Sequence, residues 1–158
     1  KKNNCLSIVD VSGSVGTEMC NGTYADFLVC SFGKWKLVEA GKGGFISTED
    51  PKLWDLVKDK IKVLDDQEVL IKIQAGLLNL PERINKLDFL HDKIVNDLSG
   101  KKIIYPNSRS YVVIIKYNSD KEKEKLISYC QENDFPWTEC PRYIRINKPA
   151  ISIEIKRL

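Results

Sequence analysis

Apolar and polar positions along the chain fall into segments whose period indicates strands or helices. Apolar runs of four to eight residues, bounded by turn-forming residues, are typical of strands, whereas apolar residues three and four apart are typical of helices. On this basis we predict helices at 51–64, at 77–98 and from 119 to about 132. The predicted strands are 5–11, 25–32, 34–40, 68–73, 101–105, 111–117, 143–147 and 151–155.

Residues with strong turn and capping preferences set several of these boundaries. Gly33-Lys34 predicts a hairpin turn between the second and third strands. Asp50-Pro51 has the sequence of an N-cap followed by a proline in the first helical position. Ser119 and Glu122 form a capping box, and Gly100 follows the middle helix where a C-cap glycine is expected. The order of elements is therefore β-β-β-α-β-α-β-β-α-β-β.

This order predicts an α/β fold in which helices pack against a mixed sheet. The 158 residues, 42% hydrophobic and 30% charged, are of a size and composition that suit one domain spanning 1–158. The chain does not begin with methionine, so the sequence leaves open that it is a fragment of a longer protein.

Cysteine usage and charge restrict the expected surroundings of the protein. The five cysteines include no Cys-x-x-Cys pair, and the single histidine offers no zinc cluster. The sequence also lacks a signal-peptide pattern and an apolar run long enough to span a membrane. We therefore expect an intracellular protein, cytoplasmic or nuclear, that is not secreted and has no membrane partner. A net charge of +3 permits a polyanionic partner without requiring one.

The sharpest chemical signal is Asp10, which ends an apolar run and is followed by Ser12 and Ser14. A carboxylate and hydroxyls at the end of a strand are suitable oxygen ligands for a divalent cation. The same residues are also typical of an ordinary turn, in which the aspartate accepts hydrogen bonds from nearby backbone N–H groups. Both interpretations are open from the residues alone.

The order of elements, with Asp10 on the first strand, resembles the ribonuclease H-like superfamily. Residues 7–64 resemble more narrowly the opening of the nuclease domains of large viral terminases, through Asp10-Val-Ser-Gly and Asp26-Phe27. The resemblance implies a β-β-β-α-β-α-β-α core, extended here by a C-terminal hairpin. It also implies a nuclease dependent on Mg²⁺ or Mn²⁺, with Asp10 and Asp120 as catalytic residues and metal ligands. Ser12 is a further candidate metal ligand beside Asp10.

One departure from the family pattern and two alternative functions accompany that expectation. The family has an acid at the end of its fourth strand, where this chain has Ile73-Gln74, so an inactive nucleic-acid-binding relative is the second form of the hypothesis. The Asp10-x-Ser12-x-Ser14 pattern also resembles the metal-dependent adhesion site of von Willebrand factor A domains, which implies Mg²⁺ and a protein partner. A plain interaction domain without chemistry is the remaining alternative.

Basic residues near the C-terminus form a candidate nucleic-acid-binding surface. Arg142, Tyr143, Arg145 and Lys148 surround the predicted final hairpin. Strand alternation places Tyr143 and Arg145 on one face. Basic side chains there could contact DNA or RNA phosphates while the tyrosine stacks on a base; a solvated sheet face is the alternative.

Overall fold

A computed structural model of the protein describes residues 5–20, 25–108, 110–141 and 146–158. The chain divides into two compact units, Lys1–Ile84 and Asn85–Leu158. Both units combine helices and strands, which confirms the predicted α/β class. The prediction of a single domain stays a prediction.

The first unit contains a three-stranded sheet followed by helices. Its strands are β1 (Ile8–Asp10), β2 (Phe27–Ser31) and β3 (Gly44–Ser47), with β2 in the centre. Strand β1 pairs parallel with β2, and β3 pairs antiparallel with β2. The helices are α1 (Pro51–Val57), continued by a 3₁₀ turn, α2 (Gln67–Leu78), and α3 (Leu80–Asp97), which ends in the second unit.

The entry into the first sheet is fixed by Asp26. Its Oδ2 atom accepts hydrogen bonds from the Ser7 backbone N–H at 2.8 Å and from Ser7 Oγ at 3.0 Å. The Asp26 N–H in turn donates to Ser7 Oγ at 3.0 Å. The carboxylate therefore holds the starts of β1 and β2 side by side. The role of Asp26 that these bonds show is therefore structural.

Two predicted strands in this unit are wrong. Residues 34–40 form part of a loop, because neighbouring Leu37 and Val38 are both buried and do not alternate between two faces as strand residues would. Residues 68–73 lie in helix α2, because Asp66 caps the helix by accepting a hydrogen bond from the Val69 N–H at 3.1 Å. The predicted helix 51–64 is shorter than expected, although its Asp50 cap is confirmed by a 2.8 Å bond from the Lys52 N–H.

Gly44 allows the closest backbone approach in the first sheet. A Cβ atom at this position would lie 2.0 Å from the Cys30 carbonyl oxygen and 3.3 Å from the Ser31 Cα. We expect Gly44→Ala to destabilise the protein by about 3 kcal/mol, since the obstacle is backbone that has to move. Gly13→Ala is the matched control, because a Cβ atom added there would have no other atom within 4 Å. Urea unfolding measures both; equal free energies of unfolding for the two variants would contradict the expectation.

The second unit is built on a four-stranded antiparallel sheet. Its strands are β4 (Lys102–Ile104), β5 (Val113–Lys116), β6 (Trp137–Cys140) and β7 (Ala150–Ile153), in the order β4-β5-β7-β6. Helix α4 (Asp120–Glu132) connects β5 to β6, and a 3₁₀ turn (Ile155–Arg157) follows β7. The largest apolar side chains that are fully buried here are Leu87 and the isoleucines at positions 94, 115, 151, 153 and 155.

Most of the elements predicted for this unit are confirmed, but the closing hairpin is not. Helices α3 and α4 and strands β4 and β5 lie where the sequence predicts them, and Ser119 Oγ accepts the capping bond from the Glu122 N–H at 3.3 Å. The partner of β7 is β6 at 137–140, which the sequence analysis did not predict as a strand. The predicted strand at 143–147 lies mostly outside the described residues.

A buried carboxylate lies just after the central strand β7. The Glu154 side chain is only 1% exposed, and its Oε2 atom lies 2.6 Å from Arg157 Nε. Its Oε1 atom accepts a hydrogen bond from Thr138 Oγ1 at 2.9 Å. The Glu154 carboxylate thus has a hydrogen bond from β6 on one oxygen and an ion pair with the C-terminal turn on the other.

Candidate active site

Asp10 lies at the carboxyl end of β1, where the parallel strand β2 also ends. Its Oδ1 atom accepts hydrogen bonds from the Ser12 backbone N–H at 2.8 Å and from Ser12 Oγ at 2.5 Å. Its Oδ2 atom has no hydrogen bond with any described residue. The two bonds from Ser12, aided by the positive charge of Lys36, hold the pKa of the Asp10 carboxyl below its ordinary value of 3.8. This carboxylate is ionised at neutral pH and has one oxygen available.

Ser12 connects Asp10 to the end of the neighbouring strand. Its buried hydroxyl donates to Asp10 and accepts a hydrogen bond from the Ser31 N–H at 2.8 Å. Ser31 Oγ then accepts a bond from the Gly33 N–H at 3.1 Å. A continuous set of hydrogen bonds therefore runs from the Asp10 carboxylate to the first residues after β2.

The segment after β2, residues 32–43, is a closed loop that we call the β2–β3 loop. The Phe32 N–H donates to the Gly43 carbonyl at 2.9 Å, and the Ala40 N–H donates to the Phe32 carbonyl at 2.8 Å. Leu37 and Val38 bury their side chains and anchor the loop from inside. The loop backbone is therefore held at its base and at its centre, although it belongs to neither a helix nor a strand.

Trp35 carries backbone strain within this loop. Its φ angle is +64°, in the left-handed region that residues other than glycine rarely adopt. Its N–H donates to Glu39 Oε2 at 2.6 Å, and the Lys34 ammonium lies 4.8 Å from its ring centroid. Strain of this kind is concentrated at functional sites, where the surrounding structure holds an unusual conformation.

Lys36 follows the strained residue and precedes the buried Leu37, and its side chain is half-buried. Its positive charge helps to lower the pKa of the Asp10 carboxyl and opposes the rise in the pKa of the Cys30 thiol. Burial raises the pKa of the Cys30 thiol to about 11, with smaller contributions from Cys20 and Asp10. Cys30 is therefore a buried, neutral thiol at neutral pH, and the Lys36 amine and the Asp10 carboxylate are the chemically useful groups of this region.

Sequence reasoning found Asp10 and Ser12 but missed Lys36. One signal was available: Ser31-Phe-Gly-Lys-Trp-Lys36 places two lysines and a tryptophan between a strand and the buried Leu37-Val38 pair. A loop lysine so close to buried residues is constrained in position, unlike most surface lysines. The incorrect strand at 34–40 concealed this.

The other sequence-predicted site residues lie at separate places in the chain. Asp120 is the exposed first residue of helix α4, in the second unit, and Lys148 is exposed before β7. Arg142, Tyr143 and Arg145 lie outside the described residues. Within the described ranges, no group of three or more His, Cys, Asp or Glu side chains could hold a metal ion. The Mg²⁺ or Mn²⁺ site, the adhesion-type site and the DNA or RNA surface therefore stay predictions.

A comparison with protein families shows to which family the chain belongs. Residues 78–158, just over half of the sequence, match the MJ1341 family C-terminal domain. The chain belongs to the MJ1341 family. No curated protein matches this MJ1341-family chain at a significant level. Among the residues that the structure describes, the family member has no helix long and apolar enough to cross a membrane.

A solved structure gives the fold relationship of the MJ1341-family chain. It resembles the crystal structure of a DegT DnrJ EryC1 StrS aminotransferase from Brucella abortus, with a TM-score of 0.61 and 15% sequence identity. The match covers 94% of this chain and 52% of the aminotransferase, so the MJ1341-family chain spans about half the length of that protein. At this identity the likeness concerns the fold alone.

These findings overturn the resemblance to the ribonuclease H-like superfamily and to viral terminases. The observed similarity is to an aminotransferase, and the family match is to the MJ1341 family. The physical reason for the error is local: Asp10 and Asp26 after short apolar runs fit the terminase pattern. However, β1 and β2 are parallel, whereas the ribonuclease H-like core opens with three antiparallel strands.

Proposed function

We propose that this chain is part of an aminotransferase-type enzyme that binds pyridoxal phosphate between Asp10 and Lys36. The observation that carries the proposal is the hydrogen-bonded connection from Asp10 through Ser12 and Ser31 to the loop that presents Lys36. The similarity to a solved aminotransferase, at a TM-score of 0.61, supports it at the level of the fold.

The residues present fit the cofactor in two respects. Enzymes that use pyridoxal phosphate hold it through a lysine amine and place an acidic or basic side chain against the ring nitrogen. Asp10 is an ionised carboxylate with Oδ1 bound by Ser12 and Oδ2 open, which suits a protonated ring nitrogen. Lys36 supplies an amine on a loop whose backbone is fixed.

Each residue would then have a distinct role. The cofactor, when bound, supplies the electron sink that makes amino-group transfer from a substrate feasible. Asp10 would hold the ring nitrogen of the cofactor through its open Oδ2 atom and would favour the protonated form of that nitrogen. Ser12 holds the carboxylate in place through Oδ1. Lys36 Nζ would hold the cofactor, and its amine would also be able to take up and return a proton at the reacting carbon of the substrate.

Removing the negative charge of Asp10 should weaken cofactor binding. We expect Asp10→Asn to raise the dissociation constant for pyridoxal phosphate by about tenfold to hundredfold, since a hydrogen bond to a charged group contributes about 1.5–3 kcal/mol. Asp59→Asn, which changes an exposed carboxylate after α1, is the matched control. The measurement is titration of the purified protein with the cofactor, followed by quenching of tryptophan fluorescence.

The comparison of the two variants shows whether Asp10 contacts the cofactor. Weaker binding in Asp10→Asn alone supports the proposal. Equal dissociation constants in the wild type, Asp10→Asn and Asp59→Asn would reject a contact between Asp10 and the cofactor, and absence of saturable binding to the wild type would reject the proposed function itself.

A further inference from the structure

The second unit contains a cavity of about 200 Å³ beside the edge strand β4, and the proposed function does not use it. Its charged and polar walls come from β4, β5 and the start of α4, and Leu126 closes it on the helix side. We call it the lysine cavity; its polar lining side chains are Lys101, Lys102, Lys116, Asn118 and Glu122. It shares no residue with the site at Asp10 and Lys36.

The pairing of β4 with β5 brings two of these lysines together. Lys102 and Lys116 are directly opposite each other in the antiparallel register. Like charges in opposite positions on neighbouring strands destabilise a sheet. None of the three cavity lysines forms an ion pair with any residue that the structure describes. The cavity thus concentrates positive charge that the described residues do not neutralise.

The one acidic side chain in the cavity is already engaged. Glu122 Oε2 accepts a hydrogen bond from the Asn118 backbone N–H at 2.8 Å, as part of the capping arrangement that begins α4. The 13-residue helix α4 starts beside this cavity, and the positive end of its dipole adds to the attraction for an anion. Three lysines against one carboxylate leave a positive site.

We propose that the lysine cavity binds a phosphate group, either as inorganic phosphate or as a small phosphate monoester. A dianion would relieve the repulsion between Lys102 and Lys116 and receive charge-assisted hydrogen bonds from their ammonium groups. At about 200 Å³ the cavity is smaller than the pockets that hold drug-sized ligands, which have roughly 300–1,000 Å³, and it therefore suits a small anion. The proposal does not depend on the proposed aminotransferase function.

The test is a titration with inorganic phosphate, and separately with methyl phosphate, followed residue by residue in ¹H–¹⁵N NMR spectra. We expect saturable shifts at residues 100–102 and 116–122. In the double variant Lys102→Ala/Lys116→Ala the dissociation constant should rise at least about tenfold. The control is Lys121→Ala/Lys125→Ala, which removes the same two charges from exposed positions of α4. In this control binding should change less than about twofold, because neither side chain lines the cavity and more distant charges are screened by salt.

The two ligands separate the two sources of the phosphate group. Tighter binding of methyl phosphate assigns the cavity to a phosphate monoester, and tighter binding of inorganic phosphate assigns it to the free ion; both support the proposal. Shifts confined to residues outside the cavity would overturn it. Equal weakening in the two double variants would also overturn it, because general electrostatic attraction would then explain the binding.

Discussion

Lys36→Ala is expected to lose all covalent attachment of pyridoxal phosphate, whereas Lys34→Ala should retain it. The two lysines are separated only by Trp35, but their surroundings differ. Lys34 is exposed, and its ammonium lies over the Trp35 ring. Lys36 is half-buried and its charge acts on Asp10. A cofactor whose ring nitrogen contacts Asp10 should therefore be attached to Lys36 alone.

Borohydride reduction followed by mass spectrometry of peptides measures this difference. Reduction makes the lysine–cofactor bond permanent, so the modified residue can be located in the sequence. In the wild type the label should be found on Lys36, and in Lys34→Ala it should be equally strong. Labelling of Lys34, or undiminished labelling of Lys36→Ala, would show that the β2–β3 loop does not hold the cofactor in the proposed way.

The contribution of Asp10 to cofactor binding should be lost only at low pH. The hydrogen bonds from Ser12 keep the pKa of this carboxyl below 3.8 in the folded protein. A carboxyl with a lowered pKa contributes fully above its ordinary value and loses its contribution as the pH falls through the lowered value. Cofactor binding through Asp10 is therefore constant across neutral and mildly acidic pH. This separates it from binding that depends on a histidine, which would change between about pH 5 and 8.

Arg157→Ala is expected to destabilise the protein by about 3–5 kcal/mol, the usual effect of removing one member of a buried ion pair. Glu154 is almost fully buried, and Arg157 Nε lies 2.6 Å from its Oε2 atom. The hydrogen bond from Thr138 Oγ1 reaches only the other oxygen. Removal of the guanidinium would leave the buried Glu154 carboxylate without this ion pair.

Unfolding in urea at neutral pH measures the effect, and a second substitution identifies its cause. Glu154→Gln combined with Arg157→Ala removes the buried charge as well as its partner, so the double variant should recover much of the lost stability. If the double variant is as unstable as Arg157→Ala, the loss of apolar packing by the arginine side chain explains the effect instead.

The sequence predicts the second unit well because its elements have regular patterns. Helix α4 has a capping box, and β5 has a continuous apolar run, so local pattern and fold agree. Strand β6 was missed because Trp137-Thr-Glu-Cys140 is short and follows a proline. Its assignment as a strand depends on pairing with β7, a contact distant along the chain. Local periodicity contains no information about such a pairing.

The first unit shows how local preference is overridden. Residues 69–73 are rich in Val, Leu and Ile, which favours a strand, but the Asp66 cap and the ion pair between Glu68 and Lys72 at 2.7 Å support a helix. The candidate site could be predicted only in part for a related reason. Asp10 is conspicuous beside serines, whereas the importance of Lys36 depends on a hydrogen-bonded connection between two strands.

Strand β1 has a practical consequence for work with the isolated chain. Among the described residues it is paired with β2 on one side only, and Ile8 and Val9 are 66% and 38% exposed. An open apolar strand edge is a template on which another strand can add. Concentrated samples should therefore aggregate first along this edge. A lysine in place of Ile8 would oppose this while leaving the Asp10 carboxylate intact.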